Sequence, residues 1–410
     1  MSSSSVSLEP DAGSTSYTVK SGSEVLGYLV IDSTVAGRSC GGLRMAPDVD
    51  EAEIAGLARA MTLKFGYLSL PQGGAKAGVR GDPEAPAEVR RRRLAEFGRA
   101  IAPYLYAGHY APFEDLGTYN SDIRRMLEDV GVPVKARELR GKSSGYYTAR
   151  SVLAGIKQGA RHLGLDPATA SVAIEGYGKV GGALGDLLAA ERAHVVAVST
   201  SRGALYNPRG LDTQRVSALA AAMGSRFVEA YPEADRLEST ALSLLPVDIL
   251  SPCARHHTIH AGNAAQVAAK LVAAGANNPT TAEADQILNQ RSVLLLPYFV
   301  TNCGGTLGGT MEFSMHDRQS IDHVIDHILG DRIARLLGHA SKGNAGLYEL
   351  AESEALRGFA RVRDAASRSS LRGRIFGAGL EMHRRGYVPG GIVRRLSMSY
   401  FDNRAGGTAE

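Results

Sequence analysis

Apolar and polar positions alternate in two different ways along the chain. Between about residues 24 and 145, short strand-like runs such as "EVLGYLVID" alternate with helical patterns. The segment after Asp50 predicts a helix, because Asp50 suits the N-cap, Glu53 follows three positions later, and apolar side chains recur every three or four positions up to Leu68. Lys64 falls in that apolar row, either with its charged end at the edge of the row or with its ammonium directed into a cleft.

From about residue 146 the pattern changes to strand, helix and strand, which indicates a doubly wound parallel sheet. In "SVAIEGYGKVGGALGDLLAAERAHVVAVS" we predict a strand over 171–174, a helix over 180–190 and a second strand over 194–199. The motif GxGxxG lies between the first strand and the helix, which is the context in which it binds the pyrophosphate of a dinucleotide. The predicted cofactor-binding residues of this turn are Gly176, Tyr177, Gly178, Lys179, Val180 and Gly181.

The end of the second predicted strand bears on the choice of cofactor. A carboxylate there would bind the ribose 2′-hydroxyl of NAD, but the chain has Ser199-Thr200-Ser201-Arg202. No charge at this position repels the 2′-phosphate of NADP, and Arg202 is suited to pair with it, although Arg202 equally suits a surface loop. We therefore expect NAD or NADP, with a slight preference for NADP.

Three further apolar segments, "VDILSPCA", "AAGANNPTT" and "LLLPYFVTNCGG", predict strands that end in small or polar turns. Ligands of such sheets lie beyond the carboxyl ends of the strands. We therefore expect Asn277 and Asn302 to face the nicotinamide half of the cofactor, with ordinary turn formation as the alternative for both.

These patterns predict an α/β fold with two lobes. The first domain covers residues 1–145, and residues 146–330 form a Rossmann domain that binds the dinucleotide. The helices predicted over residues 331–410 are expected to pack back on the first lobe. A chain of 410 residues is long enough to form two such cores.

Composition narrows the class of protein further. The net charge of +4 and the charged fraction of 21% suit a soluble globular protein, and no basic and aromatic module of a nucleic-acid binder is present. The three cysteines, Cys40, Cys253 and Cys303, form neither a metal-binding spacing nor a disulfide framework. The amino terminus lacks an apolar signal region, and the run "SVLLLPYFV" is too short to span a bilayer. We expect a cytoplasmic protein without metal, nucleic-acid or membrane partners.

The stretch "LPQGGAKAGV" places Lys76 among small residues. We predict a glycine-rich loop, in which Gly73, Gly74 and Gly78 let the backbone approach a ligand closely. A lysine in such a loop suits a phosphate contact, a surface charge or a desolvated amine that transfers protons.

Several separated motifs occur in a specific order along the chain. They are "CGGLRM" at 40–45, "MTLKFGYLSLPQGGAKAG" at 61–78, "APFEDLGT" at 111–118, and then "EGYGKVG", "GANNPTTAEAD" and "NCGG". Over roughly residues 36–315 this set resembles the glutamate/leucine/phenylalanine/valine dehydrogenase family. The resemblance implies reversible NAD(P)-dependent oxidative deamination of an L-amino acid to a 2-oxo acid and ammonia. It also implies that the first domain binds the substrate and forms a homo-oligomer, at least a dimer.

Carried onto this chain, the resemblance makes Lys76 and Asp115 the catalytic residues and pairs Lys64 with the substrate α-carboxylate. Burial and the neighbouring ammonium of Lys64 are expected to lower the pKa of Lys76, so that Lys76 acts as a base. Asp115 is expected to exchange a proton with the substrate nitrogen, with a turn or cap as its alternative role. The other implied substrate residues are Cys40, Gly41, Gly42, Met61 and Gly309, and the other implied cofactor residues are Thr148, Thr200, Cys253 and Ala254.

Two departures from the family pattern bear on the substrate. Glutamate-specific members carry a lysine just before "GGLR", where this chain has Cys40, and a serine where it has Gly309. Both changes remove polarity and add room, so we expect an apolar, monocarboxylic substrate, either a branched-chain or an aromatic amino acid. Three alternatives stay open: glutamate itself, an imine or other non-standard amine, and a non-catalytic protein that binds the cofactor.

Overall fold

The chain divides into two units with separate hydrophobic cores. The structure is a computed structural model that describes residues 7–11, 14–135, 139, 144–342, 346–368 and 379–408. The first unit comprises Met1–Gly141, Phe313–Met315 and Glu354–Ser397, and the second comprises Lys142–Glu312, His316–Ser353 and Met398–Glu410. Carboxyl-terminal residues therefore contribute to both units.

A six-stranded mixed sheet forms the centre of the first unit. Its strands are β1 (Ser7–Asp11), β2 (Ser14–Ser21), β3 (Glu24–Ile31), β4 (Ser39–Ala46), β5 (Gly73–Arg80) and β6 (Tyr110–Glu114). The first helices of the chain are α1 (Glu51–Tyr67), α2 (Ala87–Ala100), α3 (Ala102–Tyr106) and α4 (Asn120–Asp129).

The strand order in this sheet is β1-β2-β3-β5-β4-β6. Strand β4 is parallel to both of its neighbours, β5 and β6, and the other pairs are antiparallel. Every residue of β4 is buried. Central strands covered on both faces are normally built from apolar or small residues, so a charged side chain within β4 or β5 requires a specific partner.

Helix α1 lies directly on β5. The Asp50 side chain accepts a hydrogen bond from the Glu53 N–H at 2.8 Å, so the predicted N-cap is confirmed. A Cβ added at Gly74 would lie 2.2 Å from the backbone nitrogen of Thr62. The backbone of the helix therefore contacts the backbone of the strand with no room for a side chain between them.

A seven-stranded sheet forms the centre of the second unit. Its strands are β7 (Ser171–Glu175), β8 (His194–Thr200), β9 (Gly203–Tyr206), β10 (Asp235–Leu237), β11 (Ile249–Pro252), β12 (Leu271–Val272) and β13 (Leu294–Leu295). The helices that follow α4 along the chain are α5 (Ser144–His162), α6 (Lys179–Ala190), α7 (Thr213–Met223), α8 (Phe227–Ala230), α9 (Ala261–Ala264), α10 (Ala282–Gln290), α11 (Tyr298–Thr301), α12 (Gly304–Phe313), α13 (Arg318–His323), α14 (Gly330–Ala340), α15 (Leu347–Ser367) and α16 (Gly390–Gly406).

The strand order in the second sheet is β10-β9-β8-β7-β11-β12-β13. The neighbouring strands β8, β7, β11, β12 and β13 are parallel, and β9 and β10 extend the β8 edge in antiparallel pairs. The chain leaves β7 to form β8 on one side and later returns to form β11 on the other, so β7 lies at the point where the winding reverses. The predicted α/β class with a Rossmann-type sheet is confirmed.

One predicted strand differs from the structure. The segment "LLLPYFV" extends only over Leu294–Leu295 as a strand, and Tyr298–Thr301 is helical. Pro297 separates the two with φ −58°, because a proline has no N–H for a sheet ladder and its fixed φ suits the start of a helix. Among the described residues, no helix combines the length and apolar character needed to cross a bilayer.

Candidate active site

Lys76 lies in the middle of strand β5 rather than in a glycine-rich loop, so that part of the prediction is wrong. Its backbone faces Val30 of β3, and the residue is only 3% exposed. The glycines around it serve protein packing: Gly74 makes room for α1, and a Cβ at Gly78 would lie 2.5 Å from Ile54. These contacts describe only the packing of the glycines within the protein, so the approach of their backbone to a ligand stays a prediction.

Asp115 is the partner of Lys76. The Lys76 Nζ lies 2.8 Å from Asp115 Oδ2, directly after the end of β6. A Cβ added at Gly42 would lie 2.8 Å from the Asp115 Cβ and 2.9 Å from the Lys76 Nζ, so this position of β4 has space only for glycine. The Thr118 hydroxyl accepts a hydrogen bond from the Asp115 N–H at 3.0 Å, which fixes the turn that carries the carboxylate. The Asp115 side chain is thus part of an ion pair and does not cap a turn.

Arg44 and Glu53 extend the ion pair of Lys76 and Asp115. Neither residue was predicted from the sequence as part of the site. The Arg44 Nε lies 2.9 Å from Asp115 Oδ2, and the Arg44 Nη1 pairs with Glu53 in the first turn of α1. We call Glu53, Arg44, Asp115 and Lys76 the buried charge network. The sequence does contain a feature that points to Arg44, because this charged residue lies within a run of small and apolar residues, "CGGLRM".

The buried charge network shifts the pKa values of its members. Burial alone would raise the pKa of Asp115, but Lys76 and Arg44 outweigh burial and hold that pKa well below its usual range. Burial lowers the pKa of Lys76, and Arg44 lowers it further, against the opposing effects of Asp115 and Glu53. A lysine whose pKa is lowered beside an ionised carboxylate is a candidate for proton exchange.

Lys64 lies in the last turn of α1 and is 6% exposed. This burial excludes a charged end held in bulk solvent at the edge of the helix. From the sequence we expect Lys64 to be the cation that lowers the pKa of Lys76, whereas the cation that lowers it in the structure is Arg44, which also contacts Asp115. Met61, one helical turn earlier, is half-buried.

Cys40 and Gly41 occupy the start of the same strand, β4. Cys40 is buried, and burial raises the pKa of its thiol to about 12, so the side chain is neutral at physiological pH. A Cβ at Gly41 would lie 1.6 Å from the carbonyl oxygen of Ala75, so Gly41 allows β4 and β5 to approach each other. The strand presents no cation at position 40.

The glycine-rich turn of the second unit has the geometry that a pyrophosphate requires. Gly176 has φ +89°, and a Cβ there would lie 2.5 Å from the Cβ of Ala254. A Cβ at Gly178 would meet nothing within 4 Å, and Gly178 directly precedes the first residue of α6, Lys179. A Cβ at Gly181 would lie 2.0 Å from the Gly176 oxygen. The open position at the start of the helix therefore suits an anion that accepts bonds from backbone N–H groups.

The residues at the end of β8 bind the turn to the sheet. The Ser199 hydroxyl accepts a hydrogen bond from the Gly176 N–H at 3.1 Å, and the Ser199 carbonyl accepts one from Tyr177 at 2.7 Å. The Tyr177 ring packs on Phe227 with centroids 5.5 Å apart, so this side chain is engaged within the protein. The Thr200 hydroxyl donates to the Ser225 carbonyl at 2.9 Å. Arg202 is exposed, and so is Lys179 on α6.

The structure brings Asn277 and Asn302 together. The Asn302 Nδ2 donates to Asn277 Oδ1 at 3.0 Å and to the Ala276 carbonyl at 3.0 Å. The Asn302 Oδ1 is buried and has no hydrogen-bond partner among the described residues, so it is available to a donor on a ligand. A nicotinamide carboxamide carries such a donor. The available Asn302 Oδ1 and the open position at Gly178 are two features of the second unit that suit NAD or NADP.

Three other predicted residues lie on the same unit. The Thr148 hydroxyl donates to the Ser144 carbonyl at 2.8 Å. A Cβ added at Gly305 would lie 2.4 Å from this hydroxyl oxygen. The Cys253 N–H donates to the Glu175 carbonyl at 2.7 Å, and burial raises the pKa of the Cys253 thiol to about 12. A Cβ at Gly309 would meet nothing within 4 Å. The described residues contain no group of three or more His, Cys, Asp or Glu arranged to hold a metal ion.

A dinucleotide-binding fold together with a buried lysine–aspartate pair defines an oxidoreductase of the pyridine-nucleotide class. The family model "Glu/Leu/Phe/Val dehydrogenase, dimerisation domain" matches residues 14–131, and the model "Glutamate/Leucine/Phenylalanine/Valine dehydrogenase" matches residues 142–369. The chain belongs to the glutamate/leucine/phenylalanine/valine dehydrogenase family.

Similar proteins agree with this assignment. Glutamate dehydrogenase of Thermotoga maritima is 36% identical over 322 residues, which cover 74% of this chain and 75% of that protein. NADP-specific glutamate dehydrogenase A1 of Halobacterium salinarum is 33% identical over 301 residues, which cover 70% of this chain and 72% of that protein. The hetero-hexameric glutamate dehydrogenase of Thermus thermophilus, in its leucine-bound form, is 26% identical with a TM-score of 0.71, and the match covers 85% of this chain and 86% of that one.

The predicted enzyme class is therefore confirmed. The chain is an amino-acid dehydrogenase, an oxidoreductase whose cofactor is NAD or NADP.

Proposed function

We propose that the chain catalyses the reversible, NAD(P)-dependent oxidative deamination of an L-amino acid with an apolar side chain, either branched-chain or aromatic. The products are the 2-oxo acid, ammonia and the reduced cofactor. The contact of 2.8 Å between the Nζ of the buried Lys76 and the carboxylate of the half-buried Asp115 is the observation that carries the proposal. Amine oxidation followed by hydrolysis needs both a base and a group that exchanges protons with nitrogen.

The proposed roles follow from the state of each group. Bound NAD(P)⁺ supplies the hydride acceptor for the substrate Cα–H. Lys76, with its pKa lowered by burial, removes a proton from the water that attacks the substrate imine carbon. Asp115, with its pKa held low, accepts a proton from the substrate nitrogen and returns one to the departing ammonia. Lys64 pairs with the α-carboxylate in this proposal, since it is a buried cation on the helix that packs against β5.

The preference for an apolar substrate rests on position 40. Cys40 is buried and its thiol is neutral, so it offers no charge to a side-chain carboxylate. The open space at Gly309 is consistent with a larger apolar group. Glutamate is the second candidate, because two relatives that are 36% and 33% identical to this chain are named glutamate dehydrogenases.

A spectrophotometric scan of amino acids and 2-oxo acids with both cofactors tests the proposal. We expect reduced cofactor to form with branched-chain or aromatic amino acids, and the activity to be lost in Lys76→Ala. Activity on glutamate alone would move the assignment to glutamate dehydrogenase, and turnover of an imine or non-standard amine alone would identify a different substrate class. Cofactor binding without turnover of any compound would indicate a non-catalytic protein.

A pair of variants at position 40 tests the basis of the substrate preference. Cys40→Lys adds the cation that a side-chain carboxylate needs, so we expect the ratio of kcat/KM for glutamate to that for leucine to rise about 10-fold or more. Cys40→Ser is the neutral control and should leave this ratio nearly unchanged. An unchanged ratio in Cys40→Lys would show that position 40 does not contact the substrate side chain.

The assembly and compartment of the chain are proposed on similar grounds. The family model that matches residues 14–131 describes a dimerisation domain, and a solved relative is a hetero-hexamer, so we propose an oligomer of at least two copies of this chain. Light scattering of the purified protein measures the number of subunits directly. The few unpaired cysteines favour a reducing compartment, and cytoplasmic localisation stays a prediction.

A further inference from the structure

The reaction proposed above assigns no role to Arg44, although Arg44 contacts the proposed catalytic carboxylate. The Lys76 Nζ at 2.8 Å and the Arg44 Nε at 2.9 Å both contact the same oxygen of Asp115, Oδ2. Within the described part of the chain, Oδ1 has no hydrogen-bond partner, and the side chain is 19% exposed. The carboxylate is therefore held through one oxygen and presents the other.

Arg44 is itself held from the opposite side. Its Nη1 pairs with Glu53 in the first turn of α1, and both residues are buried. A guanidinium presents its N–H groups in one rigid plane, so it can contact two carboxylates in different directions at once, which an ammonium cannot do with fixed geometry. Arg44 therefore connects helix α1 to the turn after β6 that carries Asp115.

We propose that Arg44 is a positioning residue for the proposed deamination, on which this inference rests: Arg44 fixes Asp115 Oδ2 so that Oδ1 meets the substrate nitrogen, and Glu53 fixes Arg44. Neither Arg44 nor Glu53 exchanges a proton with the substrate. They act through the orientation of Asp115 and through the electrostatic field at Lys76.

The two positioning charges act on Lys76 in opposite directions. Burial has the largest effect and lowers the pKa of Lys76; Arg44 lowers it further, whereas Asp115 and Glu53 raise it. The other buried titratable groups on the elements packed around Lys76 are Cys40 on β4, Tyr110 on β6, Lys64 and Tyr67 on α1, and Tyr28 on β3. None of these carries out the same two contacts as Arg44, so changes at Arg44 and Glu53 should produce pKa shifts of opposite sign.

Steady-state kinetics of Arg44→Lys test the orientation of Asp115. This variant keeps the positive charge but loses the two-way contact, so we expect kcat to fall about 100-fold with a much smaller change in the KM of the amino acid. Arg80→Lys is the matched control. Arg80 is a half-buried arginine of β5 that donates to the Val49 carbonyl at 2.8 Å and to Tyr28 at 3.0 Å, outside the buried charge network. Its variant should keep kcat within about twofold of the wild type.

The pKa of Lys76 can be measured without turnover in the full-length protein. The rate at which trinitrobenzenesulfonate modifies Lys76 is followed against pH by peptide mass spectrometry. Glu53→Gln should lower the pKa of Lys76, and the double variant Arg44→Met/Glu53→Gln should raise it again relative to Glu53→Gln. The double variant removes both charges of the Arg44–Glu53 pair, so neither is left buried without its partner. It should therefore be less destabilised than a variant that removes one charge alone.

Two results overturn the positioning role while the proposed function stands. One is an Arg44→Lys variant whose kcat stays within about threefold of an active wild type. The other is a Lys76 pKa that falls further, instead of rising, when Arg44→Met is added to Glu53→Gln. If the wild type reduces neither cofactor with any amino acid, the proposed function itself fails. The activity of the wild type therefore distinguishes the two failures.

Discussion

At the scale of single residues, the chemistry proposed for the first unit depends on charges largely held out of water. Lys76, Asp115, Arg44 and Glu53 come from four different elements, and each is buried or nearly so. An isolated charge in such a place would be neutralised or expelled, and here each charge has a partner of opposite sign. The same burial that requires these partners lowers the pKa of Lys76 and makes it a candidate base.

Replacing Asp115 tests this balance of charges. Asp115→Asn leaves Lys76 and Arg44 as neighbouring cations with one carboxylate fewer, so we expect activity to fall at least about 100-fold and the free energy of unfolding to fall by about 3–5 kcal/mol. Urea denaturation at pH 7 measures the stability. Asp129→Asn is the control: Asp129 pairs with Arg91, whose side chain is 50% exposed, and the loss there should be about 1 kcal/mol or less. Equal losses in the two variants would contradict a buried network.

At the scale of elements, close contact between backbones positions the site. Strand β5 carries Lys76 at the centre of the sheet, and α1 lies on that strand because Gly74 has no side chain. Helix α1 also carries Glu53, so the distance between helix and strand determines whether the Glu53 carboxylate reaches Arg44.

Gly74→Ala is expected to separate α1 from β5. The added Cβ would lie 2.2 Å from the Thr62 nitrogen and 2.6 Å from the Ala58 oxygen, both backbone atoms that cannot move alone. Overpacking of this kind should lower the free energy of unfolding by about 3 kcal/mol and reduce activity as well. Gly338→Ala in α14 is the control, since its Cβ would meet nothing within 4 Å and alanine favours a helix. A fully stable Gly74→Ala variant would contradict the close contact.

The carboxyl end of β7 gives a prediction on pH and stability. Burial raises the pKa of Glu175 to about 7, above its ordinary value of 4.5, and the Thr258 hydroxyl and the Ala254 backbone only partly oppose this. The folded state therefore retains a proton that the unfolded chain loses, so Glu175 reduces stability progressively as the pH rises from about 4.5 to 7.

Glu175→Gln should remove this dependence. We expect the variant to be more stable than the wild type at pH 8, by up to about 3 kcal/mol, and no more stable at pH 4. Denaturant unfolding at both pH values measures the difference. The same gain at both pH values would show that the carboxyl charge is not its cause.

At the scale of the whole molecule, the chain combines a mixed sheet that carries the charged residues with a parallel sheet that carries the dinucleotide turn. Cofactor binding stabilises the folded state by mass action, so the stability of the intact chain reports the cofactor preference without any turnover. The end of β8 lacks a carboxylate at Thr200, and Arg202 is exposed two residues later.

We expect NADPH to raise the melting temperature more than NADH does at equal concentration. Arg202→Ala should remove most of this difference, because a guanidinium–phosphate pair contributes about 1.5–3 kcal/mol. Arg209→Ala, at another exposed arginine after β9, is the control and should keep the difference. A larger effect of NADH in the wild type would assign the chain to NAD.

Much of the fold was predictable because local patterns and tertiary structure agree. The N-cap at Asp50 and the strand, turn and helix around Gly176 depend on residues close in sequence, whose spacing reveals the element directly. The helix at Tyr298 was missed because the apolar run around Pro297 suits a buried strand as well as a buried helix.

The dinucleotide-binding fold, the family and the choice of Lys76 and Asp115 as candidate catalytic residues follow from sequence patterns, because each depends on a motif of neighbouring residues. Only the tertiary contacts reveal that Lys76 lies in a central strand, that Gly74 packs against α1, and that Arg44 and Glu53 join the buried charge network. The physical reason is that burial and ion pairing depend on which distant segments meet, and Arg44 and Asp115 are 71 positions apart along the chain.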